Sequence, residues 1–147
     1  MSSLPNGTED LVGQNLTPGA AYAVVNTAFQ KLAAMNLHEQ VVPFYGLPRD
    51  GMTRGASAIP IERLILSIEI RAEGDAPSGA NLVVQLIIGG VTQSPTFALN
   101  AGQTYVLIPA SSSDLVVPAN TACAAQIVSA NQASDVVVAV KSQLRIP

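Results

Sequence analysis

The stretch Ile61–Ile88, "IERLILSIEIRAEGDAPSGANLVVQLII", decides how the rest of the chain is read. Its two ends alternate apolar and polar residues with a period of two, the pattern of strands buried on one face. In the first, Leu64, Leu66, Ile68 and Ile70 point one way, and Arg63, Ser67, Glu69 and Arg71 the other. In the second, Leu82, Val84, Leu86 and Ile88 form the inward set, with Val83, Gln85 and Ile87 opposite.

Between them lies "EGDAPSG", which offers Glu73, Asp75 and Ser78 as oxygen donors. Calcium needs roughly six to eight oxygen ligands converging from several positions. This loop falls short of that, and Pro77 stiffens the backbone between its donors. It does hold the ingredients of a turn: Gly74 and Gly79 for unusual backbone angles, Asp75 and Pro77 for initiation. It is therefore read as a connector.

Working outward, Gly89-Gly90 permits a tight turn into "VTQSPTFAL", where Pro95 predicts an edge position or a strand start. "QTYVLIP" and a short "DLVVP" follow, separated by the polar "ASSSD". "TACAAQIVSA" sets Cys123, Ala125 and Ile127 on one face, and Ala122, Ala124 and Gln126 on the other. "SDVVVAVKSQLRI" turns Val136, Val138, Val140, Leu144 and Ile146 inward, and Lys141, Gln143 and Arg145 outward. Seven or eight short strands punctuated by turns predict a mainly β fold, an antiparallel β-sandwich of jelly-roll type over residues 56–147.

Residues 1–55 read differently, as an irregular N-terminal arm rich in turn residues. Thr17-Pro18 is a helix-start signal, and Val25, Phe29, Leu32 and Leu37 follow at helical spacing. A short helix is expected within 20–37, most securely at 27–36, although Tyr22 to Val25 also suits an extended segment. Pro48-Arg49-Asp50-Gly51 is a turn.

Of the 147 residues, 48% are hydrophobic and only 12% charged, against about 25% charged in ordinary soluble proteins. A monomer so poor in charge exposes neutral and apolar surface of the kind partners cover. Ten acidic and seven basic side chains give a net charge of -3, and the basic residues are dispersed, so nucleic-acid binding has no electrostatic footing. No apolar run approaches the roughly 18 residues that cross a membrane, and the opening "MSSLPNGTEDL" has no secretory character, so synthesis in the cytoplasm is expected. The sequons at Asn6 and Asn15 then mark loops.

His38 is the sole histidine, in a polar "NLHEQ" read as a helix end or loop. A Ser/His/Asp or Cys/His system would therefore have no spare base, and no histidine cluster can hold a transition metal. Paired carboxylates alone can hydrolyse glycosides, but Glu62, Glu69, Glu73 and Asp75 lie on or beside an outward strand face. With no Trp and only three Tyr and three Phe, the chain is sparse in the aromatic platforms that a sugar groove uses, which counts against a sugar-binding enzyme. Cys123, the only cysteine, reads as a small buried hydrophobe. No catalytic, cofactor or metal residues are assigned, and no enzyme activity is expected.

Four segments together resemble the β-sandwich modules of tailed-bacteriophage structural proteins: "APSGA" at 76–80, "LVVQL" at 82–86, "AGQT" at 101–104 and "VPANT" at 117–121. The resemblance covers roughly 59–146, and departs where such modules carry Lys-Asn-Gly and this chain has Ile88-Gly89-Gly90. It implies a virion protein, a capsid decoration or auxiliary head protein that self-associates, as a trimer around a threefold axis. The major capsid protein or other virion proteins would be its partners, with the arm reaching onto them. The alternative is a receptor- or glycan-binding module of a fibre or baseplate, using the loops at 72–80, 89–95 and 109–114.

Overall fold

A computed structural model describes residues 36–110 and 115–145. The described residues hold nine strands: β1 (Leu37–Phe44), β2 (Thr53–Ser57), β3 (Arg63–Ala72), β4 (Leu82–Ile88), β5 (Val91–Leu99), β6 (Tyr105–Pro109), β7 (Val116–Val117), β8 (Cys123–Ser129) and β9 (Val136–Leu144). They form two antiparallel sheets. One runs β1-β9-β3-β6, with β7 also paired to β3; the other runs β2-β8-β4-β5. No helix occurs among the described residues.

The expected division of the chain needs correction. β1 and β2 are strands of the two sheets, so residues 37–55 belong to the sandwich and not to an arm. "NLHEQ" is likewise the start of β1 rather than a helix end, and the helix expected at 27–36 falls outside the described residues except at Asn36, a turn.

The core fills the space between the sheets. Leu82, Val84, Leu86 and Ile88 of β4 are buried, as alternation predicts, and meet Cys123, Ala125 and Ile127 of β8 and Val136, Val138 and Val140 of β9 in one cluster. Gly89 and Gly90, both at positive φ, close the two-residue hairpin that pairs Ile88 with Val91. That backbone suits glycine because a Cβ would crowd the carbonyl. β5 is an edge strand, which accommodates Pro95.

β3 departs from its sequence reading. Its first half inverts: Arg63 and Ile65 are buried while Leu64 is only partly covered and Leu66 is 37% exposed. The cause is a bulge. Ile65 pairs with Ser142 and Ser67 with Lys141, so Leu66 has no counterpart on β9. One extra residue shifts the side-chain parity across it. Downstream, Ile68, Ile70 and Ala72 face in. β9 keeps an unbroken inward series through Val136, Val138, Val140 and Ser142; Leu144 is half-buried and Ile146 lies outside the described residues.

The turn before β9 carries a local cost. Ala133 N–H donates to the Ala130 carbonyl at 3.1 Å, across Asn131 (φ 47°) and Gln132 (φ 68°). Asn tolerates that left-handed region; Gln does so poorly. Gln132 is exposed. Gln132→Gly is expected to raise stability by about 0.5–1 kcal/mol, read as a higher midpoint in urea titration. A lowered midpoint would show that Gln132 makes a compensating contact.

Candidate functional site

The bulge delivers a charge to the interior. Arg63 is only 1% exposed, at the end of the sandwich where β1, β2, β3 and β8 meet. Its Nη2 donates to Gln40 Oε1 at 3.1 Å and to the Ser57 carbonyl at 3.3 Å, and its Nη1 lies 3.3 Å from His38 Nδ1. Nε has no partner. Gln40, itself buried, turns its amide away and donates to the carbonyls of Gly55 (2.5 Å) and Cys123 (2.8 Å). One side chain thus joins β1 to β2, β3 and β8. Among the described residues Arg63 forms no ion pair.

The titratable neighbours respond to this charge. Burial pushes the His38 imidazole below its ordinary 6.5, and Arg63 lowers it further. Burial raises the Cys123 thiol, with Arg63 opposing the shift, so the thiol stays protonated near neutrality. Cys123 is a buried core residue, as its setting predicted. His38 was sited wrongly by sequence, and Arg63 was missed because an arginine in an alternating strand is ordinarily its wet residue. The signal for it was the run Leu64-Ile65-Leu66, which breaks strict alternation immediately after Arg63.

The four carboxylates considered in the sequence do not converge. Glu69 pairs with Arg71 at 3.3 Å beside the Tyr105 hydroxyl (3.4 Å), and Glu62 with Arg145 at 3.5 Å, both near the surface. Glu73 and Asp75 are exposed. Among the described residues no group of three or more His, Cys, Asp or Glu is placed to hold a metal. The loop that carries Glu73 and Asp75 spends its backbone on its neighbours. Gly74 N–H donates to the Ser134 carbonyl (3.1 Å), Ser134 N–H to the Asp75 carbonyl (3.0 Å), and Ser78 N–H to the Asn131 carbonyl (2.8 Å). At Gly74 a Cβ would overlap Ser134 Oγ, which accepts from Asp75 N–H at 2.6 Å. Close approach, rather than unusual φ, makes this position glycine.

The outer face of the β2-β8-β4-β5 sheet is poor in charge, whereas that of the other sheet carries Glu69, Arg71 and Lys141. Across β2-β8-β4-β5 the register aligns Thr53, Gln126, Gln85 and Thr96 in one outward row, and Ala124, Ile87 and Thr92 in the next. Gln85 Nε2 donates to Gln126 Oε1 at 3.0 Å. Neither row holds an acid or a base. On the other sheet Tyr105 and Leu107 stand half-exposed beside the Glu69–Arg71 pair. The β1–β2 loop presents Tyr45 and Leu47, 79% and 69% exposed, on a fixed backbone. Gly46 N–H donates to Asp135 Oδ1 and Asp135 N–H to the Gly46 carbonyl, both at 2.8 Å.

Neither a family model nor a curated protein sequence matches this chain. Some solved structures are similar to it. An acid-stable capsid structure of Helicobacter pylori bacteriophage KHP30 aligns at a TM-score of 0.49 and 12% identity, over 76% of this chain and 88% of that one. The carbohydrate-binding module CBM36, in complex with calcium and xylotriose, aligns at 0.44 and 12%, over 70% and 78%. The cyanophage Pam1 capsid asymmetric unit aligns at 0.34 and 18%, over 74% and 84%. All three scores lie under 0.5, and the fold above rests on strand pairing alone.

Proposed function

We propose that this chain is a non-enzymatic structural protein of a bacteriophage particle: a capsid decoration or auxiliary head protein that associates with itself, as a trimer, and with the particle surface. The observation that carries this reading is the uncharged outer face of the β2-β8-β4-β5 sheet, Thr53, Gln126, Gln85 and Thr96 in register across four strands. Solvated sheet faces ordinarily alternate with charge, whereas protein contacts deplete it. The exposed Tyr45 and Leu47 on their clamped loop add anchors of the kind that dominate interfaces. A jelly-roll reading is supported by the strand order, because β1 and β2, β3 and β4, β5 and β6, and β8 and β9 fall in opposite sheets. The likeness of residues 76–80, 82–86, 101–104 and 117–121 to phage modules supports the setting.

The mechanism would be adhesion by surface burial, with contacts of about 1,200–2,000 Å² per interface. Light scattering on the full chain is expected to give a multiple of the 15.2 kDa monomer mass, and the protein is expected to sediment with empty shells. Gln126→Lys, which sets a charge in the middle of the neutral row, is expected to shift the scattering mass to monomer and leave the melting temperature within a few degrees. A protein that is monomeric at every concentration and sediments with host cells but not with shells would reject decoration in favour of receptor or glycan binding.

A further inference from the structure

We propose that His38 and Arg63 form an acid-released latch: when the imidazole takes up a proton, the buried guanidinium repels it and the first residues of β1 detach from the sandwich. The geometry fixes the roles. An arginine stays protonated throughout the accessible pH range and has donors only, so His38 Nδ1, 3.3 Å from Nη1, serves as the acceptor. The ring's own proton then sits on Nε2. Protonation at Nδ1 removes the acceptor and places two cations in contact.

Nothing facing the pair among the described residues offsets a second charge. β8 contributes Cys123, whose thiol is held neutral; β9 the Ser142 hydroxyl, which donates to the His38 carbonyl at 3.4 Å; and β1 the Gln40 amide. β2 contributes only carbonyls. The acids nearest in sequence turn elsewhere: Glu62 pairs with Arg145 at 3.5 Å, and Glu39 is exposed on the opposite face of β1. The attachment of β1 is also uneven. Val42 and Phe44 are fully enclosed, whereas Leu37 is 46% exposed. Release therefore stops short of Val42 and leaves the sheet intact. It acts at the first residues of β1, and it does not depend on the particle role proposed above.

The sign follows from linkage. The folded state holds the imidazole below 6.5, so in the window beneath 6.5 the detached strand binds more protons than the docked one. Docking is at full strength above pH 6.5 and weakens as pH falls, until the docked ring itself titrates. Because His38 is the only histidine, its ring resonances in the full chain report on the latch alone. The expected result is the Nε2–H tautomer, a titration midpoint below 6.5, and amide exchange at residues 37–39 that rises relative to β4 by about tenfold per pH unit inside that window. His38→Gln keeps an acceptor without the charge and is expected to abolish the acid-induced exchange. A midpoint at or above 6.5, the Nδ1–H tautomer, or unchanged acid-induced exchange in His38→Gln would each overturn the latch.

Discussion

Truncating Ile68 to alanine is expected to cost about 2–5 kcal/mol of folding stability, while the same truncation at Leu66 costs under about 1 kcal/mol. The two residues are near neighbours on β3 and equally apolar, yet Ile68 is fully buried and Leu66 is 37% exposed. Strict alternation places them on the same face; the bulge at Leu66 separates them. Deletion sharpens the contrast. Without Leu66, Ile65 and Ser67 become consecutive, and their partners Ser142 and Lys141 already are, so the ladder with β9 turns regular with every inward residue still inward. Removing Glu69 instead turns the upstream half of the strand over. Chemical denaturation is expected to show a cooperative transition for the Leu66 deletion and none for the Glu69 deletion. Equal losses at Leu66 and Ile68 would mean that the bulge is misplaced.

Gln40→Leu is the second large effect, a loss of about 3–5 kcal/mol. The substitution keeps volume but strips an acceptor from Arg63 Nη2 and the donor from the Cys123 carbonyl, both in buried hydrogen bonds, and the donor from the part-buried Gly55 carbonyl. Each orphaned buried group costs about 1–3 kcal/mol, more when charged. Arg63→Met tests the same point from the other side. Replacing a buried charge by an apolar chain of similar length is often neutral or stabilising, because desolvation of the ion is no longer opposed by imperfect partners. The double variant Gln40→Leu/Arg63→Met is therefore expected to recover part of the loss, and thermal melts of the four proteins give the coupling. Strict additivity would show that Gln40 and Arg63 are not a unit.

How much of this was legible depended on whether a strand's covering was even. β4 could be read outright, since Leu82, Val84, Leu86 and Ile88 all face one core and Gln85 breaks the apolar run opposite them. β8 and the valines of β9 were legible for the same reason. β1 was not: Gln40 sits on its inner face and Pro43 near its end, so "LHEQVVPF" shows no clean period. β2, "TRGAS", has no large apolar residue, and only pairing with β8 makes it a strand. The loop at 73–79 read correctly as a connector, because Pro77 and Gly79, the latter at positive φ, state local backbone requirements; the demand for glycine at 74 comes from Ser134, distant in sequence, and was not legible. Arg63 was hidden by a non-local event, an unpaired Leu66 whose effect appears only when β9 lies alongside.

The position of β9 bears on how the molecule is made. It follows every other strand along the chain, yet it lies inside its sheet, between β1 and β3. On a ribosome adding about 5–20 residues per second, β1 and β3 emerge well before the strand that joins them, each with an open hydrogen-bonding edge. The central contacts of that sheet are among the most sequence-distant in the molecule, a topology that slows the folding search. The sheet can close only after translation has passed Leu144. In the interval, nascent copies crowded together can pair by their waiting edges instead, so yield at high expression should improve when synthesis is slowed or a chaperone covers β1 and β3.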